Sequence, residues 1–173
     1  MRLAVVWSWL EAAATPLTVA VNISPVQFHR GGLEGAVQQA LDASGLPPHC
    51  LELEITESVL MGDAATLTDT IRSLKALGVS IAIDDFGTGY SNLGYLQRFA
   101  ADKIKIDQSF VRGVLTDPGQ QVIVAAIVQM GLSLQMVPHA EGVEAQSVRD
   151  VLLGMGCATG QGYYFGRPVP PES

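Results

Sequence analysis

Six short runs rich in branched apolar residues recur along the chain, and each of the first five is followed by a stretch whose apolar residues return at helical spacing. The runs are LTVAVNIS (17–24), LELEITES (51–58), VSIAIDDFG (79–87), DKIKIDQSF (102–110), LQMVPHAEGVE (134–144) and GQGYYFGRP (160–168). Helices are predicted between them over 31–44, 63–77, 92–99, 118–133 and 145–155. Strands that alternate with helices pair in parallel through the crossover, so the pattern predicts an α/β fold with a parallel sheet. The punctuation agrees: Asp63 stands where a helix N-cap belongs, Gly78 where a helix should stop, and Pro118 at a first helical position. No linker or low-complexity segment interrupts the chain, and residues 1–173 are read as one domain.

Side chains alternate between the two faces of a strand, so each run sorts into two sets. Val19, Val21 and Ile23 oppose Thr18, Ala20 and Asn22; Leu51, Leu53 and Ile55 oppose Glu52, Glu54 and Thr56. Val79, Ile81 and Ile83 oppose Ser80, Ala82 and Asp84, and Ile104 and Ile106 oppose Lys103, Lys105 and Asp107. One face of each strand is branched and apolar, suited to packing on helices. The other is small or polar and becomes charged toward its carboxyl end. A (β/α)8 barrel divides its surfaces in this way and carries its active site at the carboxyl ends of its strands. Asn22, Glu54, Asp84 and Lys105 are therefore expected to converge. The fifth run departs from the rule, because Glu141 shares the parity of Val137 and Val143; a bulge or a turn at Gly142 is the expected cause.

Two adjacent aspartates at a strand end, Asp84 and Asp85, repel each other and favour a bound cation. With Glu54 and the amide oxygen of Asn22 they form an oxygen-only donor set, which suits Mg²⁺, Mn²⁺ or Ca²⁺. Lys105 supplies positive charge beside them or holds an attacking water. Each residue has a duller reading: Asp84 and Asp85 as turn caps, Glu54 and Glu57 as exposed strand-end groups, Lys105 paired with Asp107, Asn22 in a turn, Gln161 and Arg167 as strand-end and loop residues. His29, His49 and His139 have no ligand spacing and are read as non-catalytic, although His139 lies beside Glu141. Trp7 and Trp9 are expected to pack a helix.

With Lys+Arg 10 against Asp+Glu 17 and a net charge of -7, broad attraction to DNA, RNA or an anionic membrane surface is excluded, while a phosphate-bearing ligand remains compatible where lysine, arginine or a metal reverses the local sign. Cys50 and Cys157 match no zinc or redox spacing and are read as reduced and structural. No run reaches the ~18 apolar residues that read as a membrane-spanning helix. The opening MRLAVVWSWLEAAA resembles a short export signal, but Glu11 interrupts it, and a cytoplasmic location is expected.

The motifs VAVNIS, ELEITES, DDFGTGYSNL, KIKIDQSFV, AEGVE and QGYYFGRP occur in order and cover nearly all of residues 16–170. In this they resemble the EAL domain family of cyclic di-GMP phosphodiesterases. The resemblance implies a TIM-like barrel in which two divalent cations, Mg²⁺ or Mn²⁺, activate a water that opens cyclic di-GMP to the linear dinucleotide. Carried over by motif, Asn22, Glu54, Asp84, Asp85 and Glu141 are metal ligands, with Asp85 serving the second metal. Lys105 orients the water, Glu144 lies close to the site, and Gln161, Arg167 and Pro168 face the nucleotide. Glu57 anchors the glycine-containing loop that starts at Phe86.

The family pattern also includes a Glu-Ala-Leu strand well before the asparagine motif, and 21 residues precede Asn22 here. The expectation is an N-terminally truncated barrel with about six of eight strands, short against the ~250 residues typical of such barrels. Its open edges would be closed by another subunit or an exchanged segment, as in a homodimer, unless the chain is a piece of a longer barrel or a naturally degenerate member. Weak or absent phosphodiesterase activity is expected, since one metal-ligand glutamate is missing. The alternative is a degenerate domain that binds cyclic di-GMP or a protein partner as a regulatory module. A third reading, a magnesium-dependent barrel of the enolase type, is disfavoured by the ordered motifs.

Overall fold

The structure, a computed structural model, describes residues 17–61, 64–89, 93–97 and 99–168. The described residues form two compact units, one holding those before Asp84 and those from Leu93 to Ala101, the other holding Asp84–Gly89 and those from Asp102 onward.

In the first unit, β1 (Val19–Ile23) lies parallel to β2 (Leu51–Thr56), with Val21 opposite Leu53 and Asn22 opposite Glu54. The body of β3 (Ser80–Phe86) follows β2 in the sheet. Leu51, Leu53 and Ile55 are buried on one face of β2, and Glu52 and Glu54 are buried on the other, so this strand is covered on both sides, as parallel strands usually are. Helix α1 (Pro25–His29) starts from a capping box in which Ser24 and Gln27 satisfy each other's backbone amides. Helix α2 (Leu33–Ser44) is bounded by Gly32 and Gly45, both in the left-handed region, and buries Leu33, Val37 and Leu41 along one stripe. Helix α3 (Ala64–Ala76) buries Leu67, Ile71 and Leu74, and ends at Gly78, whose φ of +90° turns the chain into β3. A short helix, α4 (Leu93–Leu96), completes the described part of this unit.

In the second unit the end of β3 is followed in the sheet by β4 (Lys103–Ile106), β5 (Val137–Ala140) and β6 (Thr159–Gly160). The β4–β5 and β5–β6 pairs are parallel. Helix α5 (Gln108–Val111) is capped by Asp107, which accepts a 2.9 Å hydrogen bond from the Ser109 amide. Helix α6 (Pro118–Ser133) has Pro118 in its first turn, Asp117 as its N-cap, and Val124, Ile127, Val128 and Gly131 buried. Helix α7 (Gln146–Gly154) buries Val148 and Leu152. Gly131 lets α6 sit close on β4, since a Cβ there would lie 2.8 Å from Ile104 Cγ2.

The α/β fold with six strands in chain order agrees with the periodicity. Three of the runs differ most. The run 102–110 is strand only through Ile106, because Asp107 is a better helix cap than strand residue and opens α5. The run 134–144 narrows to Val137–Ala140, preceded by Gln135 at φ +61°. The run 160–168 holds only the last residue of the two-residue strand Thr159–Gly160 and then turns, as its glycines favour. Asp63 as an N-cap, and Trp7 and Trp9, lie outside the described residues.

Ile104 is fully buried between β4's neighbours and α6. Ile104→Ala is expected to cost about 2–5 kcal/mol, read as a lowered urea midpoint at unchanged slope. A loss under ~1 kcal/mol would contradict the packing described, since even Ile→Val in a tight core often costs as much.

Candidate functional site

The register of β4 on β5 brings the acidic groups of the second unit together. Lys103 lies opposite Val137, Lys105 opposite His139, and Ile106 opposite Ala140. Lysine-bearing and histidine-bearing positions therefore share one face, and Glu141, two residues beyond His139, belongs to the same face. Its amide still donates to the Ile106 carbonyl at 3.1 Å, so the ladder persists to that point. The parity conflict expected from the sequence disappears: Val137 is half exposed on the polar face, while Pro138 and Ala140 form the buried apolar face. Gly142, at φ +67°, turns the chain immediately afterwards.

Lys105 is 4% exposed, and its Nζ lies 2.8 Å from both Asp84 Oδ1 and Glu141 Oε1. Gln161 Nε2 donates to the same Glu141 oxygen at 2.8 Å. Successive strand residues should point to opposite faces, yet Asp85 joins Asp84 because its backbone is left-handed, at φ +52°. Aspartate tolerates that region better than most residues, and the conformation costs about 1 kcal/mol. The carbonyl of Asp85 accepts from the Thr88 hydroxyl at 2.8 Å, which ties the following turn to it. As a result Asp84, Asp85 and Glu141 each offer a carboxylate oxygen, all within 4.8 Å of one another.

The electrostatics are those of a site short of positive charge. Partial burial, then the nearby Asp84 and Asp107 carboxylates, raise the pKa of Asp85, and Lys105 offsets this only in part. Asp84 Oδ1 is buried and makes no directed hydrogen bond; its contact with Lys105 is ionic. Three carboxylates face one ammonium. A divalent cation fits the donor set and its charge, and Asp84, Asp85 and Glu141 are the residues that could hold it in this unit.

The other sequence-derived candidates fall in several places. Asn22 and Glu54 face each other across β1 and β2 in the first unit, with Asn22 exposed and Glu54 buried. Glu57 is buried at the start of a 3₁₀ turn, Glu57–Met61, in that same unit. In the second unit Glu144 is exposed at the end of the loop before α7. Gln161, Arg167 and Pro168 line an open cavity of about 620 Å³, where the Arg167 guanidinium sits 4.6 Å from the centre of the Tyr163 ring. Sequence reasoning gave no role to His139 and none to Glu52. His139 Nδ1 lies 3.2 Å from Thr159 Oγ1, and its parity with Glu141 was the available signal.

These features define a strand-end acidic site on a parallel α/β scaffold. The match to the family model named EAL domain covers residues 3–168, and the chain belongs to that family. It is 49% identical over 165 residues to an uncharacterized signaling protein of Caulobacter vibrioides, covering 94% of this chain and 20% of that one. It is 43% identical over 164 residues to the bifunctional diguanylate cyclase/cyclic di-GMP phosphodiesterase MucR of Pseudomonas aeruginosa, covering 95% and 24%. The chain thus spans about a quarter or less of these relatives. Among solved structures, the PaMucR phosphodiesterase in complex with c-di-GMP superposes with a TM-score of 0.92 at 41% identity, over 99% of this chain and 69% of that one. Klebsiella pneumoniae BlrP1 in its manganese/cy-diGMP complex gives a TM-score of 0.84 at 32% identity, over 96% and 42%. Among the described residues, no helix is long and apolar enough to cross a membrane.

Burial, followed by Lys103 and Lys105, lowers the pKa of His139 to about 4, with Asp84 acting the other way. An unfolded histidine titrates near ~6.5, so between these values the unfolded chain binds more protons. In chelator-treated protein the contribution of His139 to stability is therefore lost as pH falls from about 6.5 toward 4. Thermal midpoints of the wild type and His139→Gln, measured across that window, should show the flatter profile in the variant; parallel profiles would contradict the assignment.

Proposed function

We propose that this domain binds cyclic di-GMP and hydrolyses one of its phosphodiester bonds with the help of divalent cations, Mg²⁺ or Mn²⁺. The observation that carries this reading is the set of three carboxylate oxygens within 4.8 Å of one another, with the Lys105 ammonium 2.8 Å from two of the groups. Membership of the EAL family and likeness to a phosphodiesterase structure holding c-di-GMP support the choice of substrate.

Asp84, Asp85 and Glu141 would hold one cation; within the first unit, Asn22 and Glu54 stand opposite each other as proposed oxygen donors. When bound, divalent cations supply Lewis-acid charge that acidifies a water and offsets negative charge on the phosphodiester oxygens. Lys105, fixed between Asp84 and Glu141, orients the attacking water. The proton that the water releases passes to solvent. The water oxygen bonds to phosphorus, the opposite P–O ester bond breaks in line, and the leaving alkoxide takes a proton from solvent, giving the linear dinucleotide. Gln161 holds Glu141, and Arg167 with Pro168 forms part of the wall that receives the nucleotide.

The test is to titrate the purified chain with Mn²⁺ and cyclic di-GMP by calorimetry and to resolve the products chromatographically. Mn²⁺ should strengthen nucleotide binding and be required for linear product, and Asp84→Ala should lose both effects. Unchanged Mn²⁺-dependent binding and cleavage in Asp84→Ala, or no binding of either species by the wild type, would overturn the reading.

A further inference from the structure

The turn that carries Gln161 is held on one side by strand ends and on the other by helix α7. Toward the strands, the Gln161 amide donates to the Ala140 carbonyl at 2.8 Å, the Val143 amide to the Gln161 carbonyl at 3.0 Å, and the Tyr164 amide to the Val143 carbonyl at 3.0 Å. Gly162 makes this approach possible, since a Cβ there would lie 2.3 Å from Val143 N and 2.2 Å from Val143 O. The turn then closes on itself through the Phe165 amide, which donates to the Gly162 carbonyl at 3.0 Å.

On the helix side Arg149 makes a hydrogen-bonded connection. Arg149 Nη1 donates to the Tyr164 hydroxyl at 3.1 Å, and the guanidinium carbon lies 5.4 Å from the centre of the Tyr164 ring. The other edge of the guanidinium is occupied by Asp150, which accepts from Nε at 3.0 Å and from Nη2 at 2.6 Å. Asp150 thus sets the plane of the guanidinium, and a planar fork with one edge fixed aims its remaining nitrogen in one direction.

We infer that Arg149 is a positioning residue for the acidic site, acting through Tyr164 and the 161–166 turn to aim the Gln161 amide at Glu141. The path is short: Arg149 holds Tyr164, the Tyr164 and Val143 amides hold the turn against Glu141–Val143, and Gln161 Nε2 meets the Glu141 oxygen that also faces Lys105. Groups that hydrogen-bond a ligating carboxylate fix its orientation, and removing such support typically costs about 10–100-fold in metal affinity. Arg149 stands farther out, beyond Tyr164 and the turn, so the lower end applies. This inference rests on the reading of Glu141 as a cation ligand, and the experiment separates the two.

Arg149→Leu, Arg149→Lys and Tyr164→Phe are compared with the wild type by amide hydrogen exchange of the intact chain and by Mn²⁺ titration. Arg149→Leu is expected to speed exchange of Gln161 and Tyr164 by about 10-fold while leaving β4 amides unchanged, as for a local opening. It should also weaken Mn²⁺ binding by about 10-fold. Tyr164→Phe, which keeps the ring and loses only the hydroxyl, should move both readouts in the same direction by less, and it serves if Arg149→Leu fails to fold. Arg149→Lys should restore neither fully, because an ammonium cannot contact Asp150 and Tyr164 with one fixed plane. Unchanged exchange in the turn overturns the clamp. Faster exchange with unaltered Mn²⁺ affinity overturns its coupling to the site. Absence of Mn²⁺ binding by the wild type sinks the cation reading and this coupling with it, whereas the exchange result still scores the clamp.

Discussion

The Lys105 ammonium, nearly out of contact with water and shared between Asp84 and Glu141, is the interaction around which the second unit is organised. Burying charge costs free energy, and an ammonium or carboxylate left alone there would be strongly unfavourable. Each partner comes from a different strand end: Asp84 from β3, Lys105 from β4, Glu141 from the residue after β5. The pairing therefore constrains how those ends sit together. It also leaves excess negative charge among these residues, because Asp85 adds a third carboxylate beside the Lys105 ammonium. A divalent cation is the partner whose charge and oxygen preference match the remainder.

The scaffold makes this arrangement possible by sorting side chains between faces. Branched residues of β3 and β4 such as Ile81, Ile83, Ile104 and Ile106 are fully buried, and their apolar contacts offset the cost of ordering the strands. The opposite face then receives Lys103, Lys105, His139 and Asp84. Two backbone departures complete the site. The left-handed Asp85 turns a second carboxylate toward the first, and Gly142 bends the chain away directly after Glu141. Such conformations are maintained where surrounding contacts determine them, here the Thr88 hydroxyl on the Asp85 carbonyl and the Gln161 turn against Val143.

How much of this was legible in the sequence depended on the signal each residue carried. Strand–helix alternation and the caps at Gly78 and Pro118 are local chemistry, and they placed the main elements within a few residues. The parity of Lys105 and Asp84 came directly from period-2 alternation. Glu141 reads as anomalous when Val137 marks the buried face, and it is burial in the folded chain that assigns that face to Pro138 and Ala140 instead. Helix α1 escaped notice although SPVQ holds a capping box, since five residues give no periodicity. The meeting of Asp85 with Asp84 depends on one left-handed residue, which alternation alone would place on the opposite face. Arg149 and Tyr164 are joined by tertiary contact, and no spacing in the sequence announces it.

The most direct test of the central claim is an anomalous-difference map from crystals of this chain soaked in manganese. The account predicts a peak within coordinating distance of carboxylate oxygens from Asp84, Asp85 and Glu141, with the Lys105 ammonium displaced from at least one of its partners or sharing it. A well-ordered site with no peak among those oxygens, or manganese bound elsewhere while Lys105 keeps both ion pairs intact, would contradict it.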